Sequence, residues 1–127
     1  MTWQVALADV EQVLAPWLEA TLGVFSAAET PDDLEQQLPL IRVERVGGRD
    51  ARFSQHPRVA VDVFAATADE ARALSERVRE VLLFLAGPVG PAVIRSVTCS
   101  SGPSRLPWAT PEIHRRGATY TVSLRAA

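Results

Sequence analysis

The chain has 127 residues, of which 47% are hydrophobic and 22% are charged, which gives room for a single domain over residues 1–127 and excludes a disordered or low-complexity protein. Its 13 basic and 15 acidic residues give a formal net charge of −2, which excludes the strongly basic surface of a sequence-specific nucleic-acid-binding protein. The single cysteine excludes an intramolecular disulfide. No apolar run approaches the roughly 20 residues of a membrane span, which excludes a membrane partner.

Two helices are predicted in the N-terminal third of the chain. Apolar residues recur every three or four positions over residues 10–22, which is typical of an amphipathic helix with Asp9 as its N-cap and Gly23 after its end. Pro16 lies inside this pattern, so we expect the helix to kink or divide there. Residues 30–38 begin with Thr-Pro-Asp-Asp, the composition of a helix start, and predict a second helix of about two turns.

A β-hairpin is predicted next. Residues 40–46 alternate between apolar and polar side chains, which indicates a half-buried strand that Gly47-Gly48 should end. Residues 58–64 place valines at every second position and predict the partner strand. The polar residues between the two strands predict a long hairpin tip.

The third helix has the clearest signal in the sequence. Thr67 and Glu70 form a capping box, in which each side chain satisfies a free backbone amide at the start of a helix. The apolar stripe that follows them ends before Gly87-Pro88.

Two further strands complete the predicted fold. Residues 93–99 are mostly β-branched and residues 119–125 alternate, while residues 100–117, which are rich in Ser, Gly and Pro, predict a long connection between the two strands. The order α-α-β-β-α-β-β predicts an α+β domain in which helices pack on one face of a four-stranded, antiparallel or mixed sheet.

No residue pattern indicates catalysis or cofactor binding. His56, His114 and Cys99 are too far apart to form a recognisable metal-ligand spacing, and the serines near residue 100 lack the frame of a nucleophile elbow. We therefore expect a protein with no enzyme activity, no catalytic or metal-binding residues and no cofactor.

Asp62 is an unexpected carboxylate within a predicted strand, opposite the valine face. A cross-strand cation such as Arg42 or Arg45 explains it better than a catalytic role does.

Several side chains in predicted loops look suited to protein contacts. All 13 cations are arginines, and arginine and tryptophan are residue types that contribute strongly to interface energies. Trp3 and Trp108 are of this kind, although Trp108 packing on the domain's own core is an equal alternative. The candidate interface residues are Arg45, Arg49, Asp50, Arg52, Phe53, Arg58, Arg105 and Trp108.

The middle of the chain resembles a known family. The segment from Leu38 to Gly48, the segment from Pro57 to Ala65 and the Ala-, Glu- and Arg-rich helix from Thr67 are similar to those of tail terminator proteins of long-tailed bacteriophages and prophages. Residues 118–125 resemble the last strand of that family. The similarity is a pattern of hydrophobicity, Gly-Gly and Pro, and it includes no catalytic motif.

The resemblance implies a structural role in the virion. Tail terminators form a ring, commonly a homohexamer, that caps the finished tail tube, ends tube polymerisation and offers a joining surface to the head–tail connector and neck proteins. Such a ring needs two different patches on each subunit. The partners implied are copies of the chain, the tail tube protein and the connector, and the localisation implied is the tail or neck of a virion assembled in the host cytoplasm.

Two alternatives stay open on the sequence alone. One is a head-completion or other minor neck protein of the same virion. The other is a small α+β enzyme or ligand-binding domain, which would require a deep polar pocket containing a titratable group with a shifted pKa.

Overall fold

A computed structural model describes residues 7–126 of the chain. Trp3, one of the side chains considered above, lies outside the described residues. The elements are α1 (Val10–Leu22), β1 (Phe25–Ala27), a 3-10 helix (Leu34–Gln36), β2 (Leu40–Asp50), β3 (Gln55–Ala65), α2 (Ala68–Leu83), β4 (Gly87–Val89), β5 (Ala92–Leu106) and β6 (His114–Ala126).

The fold is α+β, but the predicted four-stranded sheet and the predicted element order were wrong. The sheet has six strands in the order β1-β2-β3-β6-β5-β4. It is mixed, because β1 pairs with β2 in parallel whereas the other neighbours are antiparallel. The two unpredicted strands, β1 and β4, have three residues each. A segment that short cannot show a reliable alternation, and its backbone becomes a strand because a longer neighbour offers hydrogen-bonding groups.

The helix predictions were partly confirmed. Asp9 accepts hydrogen bonds from the backbone amides of Glu11 and Gln12 and so caps α1, and Gly23 ends the helix with a positive φ of 69°. Pro16 does not divide α1, which runs unbroken through it. The second predicted helix is a 3-10 helix of only three residues.

The long helix was predicted correctly at its start. The Thr67 hydroxyl accepts a hydrogen bond from the Glu70 amide, and α2 follows at once. Its apolar stripe packs on β3, β5 and β6, while α1 packs on β1 and β2 and also contacts β4. Both helices contribute to one large core with the valine face of the sheet.

The Gly47-Gly48 pair does not end β2. The strand continues to Asp50 and pairs with β3 until residues 51–54, with a register shift between Arg45 and Gly47. Gly48 has a φ of 97°, and a Cβ there would overlap the backbone of the opposite strand near Pro57 and Arg58. Glycine is therefore required at position 48, just beyond the bulge, where the strand stays paired with Pro57.

The predicted long connection at residues 100–117 is mostly strand. β5 extends to Leu106 and β6 begins at His114, so that residues 107–113 alone join them. Two of the three register shifts along β5, between Cys99 and Ser101 and between Ser101 and Ser104, absorb the irregular Ser-, Gly- and Pro-containing sequence. β-bulges of this kind allow a strand to continue through residues that interrupt a regular alternation.

A second, smaller core lies on the sheet face opposite the α-helices. Leu40 and Phe64 project from β2 and β3, and the 3-10 helix covers them with Leu34. Ile113 and Trp108 from the β5–β6 connection complete this cluster. The connection is thus fixed to the sheet by apolar contacts.

Candidate interaction surfaces

A buried ion cluster links β2, β3 and β6 next to the second core. Asp62, on β3, is 4% exposed, and its Oδ2 accepts hydrogen bonds from Arg42 on β2 at 2.6 Å and from Arg115 on β6 at 2.9 Å. Arg42 also donates to the Thr30 hydroxyl at 2.9 Å. Arg42 is therefore the cross-strand partner that explains the unexpected carboxylate, and Arg45 is not.

Two aromatic rings of the second core, Phe64 and Trp108, also contact the arginines of the ion cluster. The Trp108 ring lies 4.7 Å from the Phe64 ring in an edge-to-face arrangement. The guanidinium carbons of Arg42 and Arg115 lie 5.9 and 5.6 Å from the centre of the Trp108 ring. These distances are those of cation–π contacts. Trp108 is half-buried and packs on the domain's own core, so only part of its surface is open to a partner.

The end of the β2–β3 hairpin gathers most of the predicted interface residues. We call this group the tip surface: Arg45, Arg49, Asp50, Arg52, Phe53 and Arg58. Arg45 donates through both terminal nitrogens to the Asp50 carboxylate, at 3.3 and 3.2 Å. Phe53 is 69% exposed, and the Arg52 guanidinium lies 5.2 Å from its ring. An exposed aromatic ring among guanidinium groups has the composition of interface contact residues.

The other two predicted residues lie away from this group. Arg105 is exposed near the end of β5, and Trp108 is in the following connection. The eight predicted residues therefore form two regions and not one surface, and whether they contact partners stays a prediction.

The sequence analysis missed the most exposed large apolar side chain of the described region. Phe84, directly after α2, is 86% exposed, and the adjacent Leu83 is 37% exposed. The signal was present in the sequence, because the run Val81-Leu82-Leu83-Phe84-Leu85 is longer than one helix face can bury. Leu82 and Leu85 are buried, and so Leu83 and Phe84 must point elsewhere.

A shallow apolar groove lies at the other end of α2. It has a volume of about 280 Å³ and is lined by Val24, Pro39, Glu70, Ala73, Leu74 and Arg77. Val24 and Pro39 immediately precede β1 and β2, so this groove is at the β1 side of the sheet, whereas Phe84 precedes β4 at the opposite side. We call it the β1-side groove.

Burial shifts the titration of one side chain. Desolvation raises the pKa of Tyr120 above its ordinary value, since the phenol is packed in the main core. Among residues 7–126, no group of three or more His, Cys, Asp and Glu side chains is placed to hold a metal ion. Neither of the described helices has the length and apolar character needed to cross a membrane.

Comparison with known proteins identifies the family. The model of the phage tail termination protein family matches residues 6–125. The chain belongs to this family. The resemblance found in the sequence is thereby confirmed, whereas a comparison with curated proteins gives no match.

Membership in the tail termination family sets the broad role of the protein. The family is a structural one of bacteriophage tails, so the chain is a tail component that associates with other components of the tail.

Proposed function

We propose that the protein assembles into a ring of identical subunits, six in number by analogy with the family, that caps the tail tube. The ring ends tube polymerisation and presents a surface to the head–tail connector. It acts through contacts alone and has no enzyme activity. The family match over residues 6–125 is the observation that carries this proposal.

The distribution of exposed apolar side chains supports assembly through several separate contacts. A ring of identical subunits uses heterologous interfaces, in which one patch on each subunit meets a different patch on the next. The chain offers Phe84 on one side of the sheet, the β1-side groove on the other, and the tip surface at the end of the hairpin. Three such sites are enough for two neighbouring copies and one further tail component.

We assign the further component to the tip surface. Phe53 stays 69% exposed at residues 51–54, although Leu7 and the end of β6 line a shallow pocket beside it. Exposed aromatic and arginine side chains are typical of the central residues of interfaces. The tail tube protein is the partner that ring capping requires.

The test combines the full chain with tail tubes assembled from the tube protein of the same phage. Negative-stain images should show rings at tube ends, and tubes polymerised with the protein present should be shorter and more uniform. Phe53→Ser should reduce end binding, while Arg72→Ala, an exposed change on α2, should leave it unaltered. Wild-type protein that neither forms rings nor binds tube ends would rule out this function. Binding to the connector but not to the tube would indicate a neck protein.

A further inference from the structure

We propose that neighbouring subunits of the ring are joined by Phe84 of one copy inserted into the β1-side groove of the next. This inference rests on the proposed ring and identifies its copy-to-copy contact. It assigns a partner to the most exposed large apolar side chain among residues 7–126 and to the apolar groove that the same chain leaves open.

The groove matches an aromatic ring in size and chemistry. Its volume of about 280 Å³ exceeds the roughly 150 Å³ of an apolar protein cavity that holds benzene. Leu74, Val24 and Pro39 supply apolar walls, and the chain of Arg77 can cover the ring edge with its methylene groups. Burial of Phe84 removes most of its exposed ring from water, which is the main favourable contribution that such a side chain makes.

Each patch carries charges of both signs, and one pair between them is complementary. Glu80 lines the surface next to Phe84 together with the Glu76–Arg79 ion pair, whereas Arg77 and Glu70 line the groove. Within residues 7–126, neither Glu80 nor Arg77 has an ion-pair partner. When Phe84 enters the groove of the next copy, Glu80 of the first copy approaches Arg77 of the second. This pairing favours one orientation of the contact.

The two patches are separate on each subunit, so that a contact between them can propagate around a ring. Phe84 and Ala73 are separated by eleven residues along α2 and its end, a span of about 16 Å in a helix. The groove is on the β1 side and Phe84 is on the β4 side of the sheet. A second apolar groove, formed by Trp17, Pro16 and the β4–β5 turn, lies beside β4. Insertion of Phe84 into that groove is the competing contact, and it would not bring Ala73 of one copy next to the end of α2 in another, so cross-linking through Ala73 distinguishes the two.

The decisive experiment is oxidative cross-linking of cysteine variants in the full chain. Ala73→Cys is combined with Leu83→Cys, an exposed position that keeps Phe84 in place, in a Cys99→Ser background with tail tubes present to nucleate assembly. The two cysteines of one copy are too far apart to bond, because a disulfide needs Cα atoms within about 7 Å. The heterologous contact therefore predicts a ladder of covalent oligomers that ends at a closed ring. The matched pair Ala73→Cys and Phe53→Cys should give no ladder.

A second measurement uses exposed substitutions that spare the core. Phe84→Ser should raise the concentration for half-assembly by about tenfold or more, as expected for loss of a central interface residue. Glu80→Arg and Arg77→Glu should each weaken assembly, and the double variant should recover it. Covalent dimers alone would show a twofold contact and overturn the inference. Rings at tube ends without the ladder would overturn it too, yet leave the capping function standing, whereas the absence of rings and of end binding would refute the function itself.

Discussion

Replacing Asp62 with alanine should destabilise the protein more than any other single loss of charge in the described region. Its carboxylate is 4% exposed and is shared by Arg42 and Arg115, whose side chains are 16% and 22% exposed. Removing it leaves two largely desolvated guanidinium groups next to each other without an anion. Truncating one partner of a buried ion pair costs about 3 to 5 kcal/mol, because the remaining charge is uncompensated.

The expected change in melting temperature follows from the size of the chain. For 127 residues the unfolding entropy is about 0.27 kcal/mol/K. A loss of 3 to 5 kcal/mol in the free energy of unfolding then lowers the melting temperature by about 11 to 19 °C. Because a domain has roughly 5 to 15 kcal/mol in total, Asp62→Asn, which keeps an oxygen acceptor, serves as the milder variant where the alanine form does not fold.

The matched control is Asp50→Ala in the hairpin. Asp50 also pairs with an arginine, Arg45, but these side chains are 31% and 32% exposed. Solvent screens such a pair, and its loss should cost less than about 1 kcal/mol. Urea denaturation and thermal melts of the two variants, followed by circular dichroism, give the comparison directly.

Two results would refute the reasoning. If Asp62→Ala and Asp50→Ala shift the urea midpoint equally, the buried carboxylate does not compensate the two arginines. The second test replaces the whole cluster with Arg42→Met, Asp62→Leu and Arg115→Met. Because a buried ion cluster is often no more stable than apolar side chains of similar volume, this triple variant should be more stable than Asp62→Ala. A triple variant as unstable as the single one would show that packing, and not charge, determines the loss.

Three further substitutions can be tested by the same urea denaturation and thermal melts. Burial raises the pKa of Tyr120, the only tyrosine, so the contribution of its phenol to the free energy of unfolding should be fully present below the unfolded pKa of about 10 and should fall as the pH rises above it. The urea midpoint of Tyr120→Phe should vary less over this pH range than that of the wild type. Gly117→Ala should cost about 1 to 3 kcal/mol, since its methyl group would overlap Asp62 and approach Leu106 Cδ1 at 2.7 Å, and an unchanged melting temperature would contradict this. Pro16→Ala should gain about 1 to 3 kcal/mol, because α1 passes through the proline without its amide hydrogen bond; a lower melting temperature would show that the ring has a packing role.

Local sequence patterns predicted the elements whose signals are contained within one segment. The capping residues Asp9 and Thr67 bond to amides two or three positions away, so the sequence alone identifies both helix starts. The valines of β3 occupy every second position because one face of the strand is buried by the α-helices. These interactions need no knowledge of distant residues.

The errors arose where pairing partners come from distant parts of the chain. β1 and β4 are strands because Leu40 and Ile94 lie in neighbouring strands that offer hydrogen bonds to them. A Gly-Gly pair usually ends a strand, but here a register shift before Gly47 and the positive φ of Gly48 let the strand stay paired with Pro57. β5 continues through Ser, Gly and Pro because β6 pairs with it up to Leu106. Tertiary pairing therefore overrides local propensity at each of these positions.

The sequence predicted one of the candidate surfaces, the hairpin tip, and missed another, the surface around Phe84. The polar and aromatic composition of the hairpin tip indicated an exposed contact region, and Phe53 is indeed exposed. Phe84 was missed because it follows buried leucines in an apolar run, and only the end of α2 at Leu83 turns it towards solvent. An apolar run that is longer than the buried stripe of its helix is the signal to examine in other sequences.

Mutations should separate the stability of the fold from assembly, because the two depend on different side chains. Asp62 is buried and holds three strands together, whereas Phe53 and Phe84 are exposed at the hairpin tip and after α2. Exposed substitutions usually change the free energy of unfolding by less than about 0.5 kcal/mol, and distant sites act additively. Phe53→Ser and Phe84→Ser should therefore keep the wild-type melting temperature while they alter tube binding and ring formation respectively. A common loss of both activities in each variant would mean that the two surfaces are one interface, and the assignment of separate partners would then be wrong.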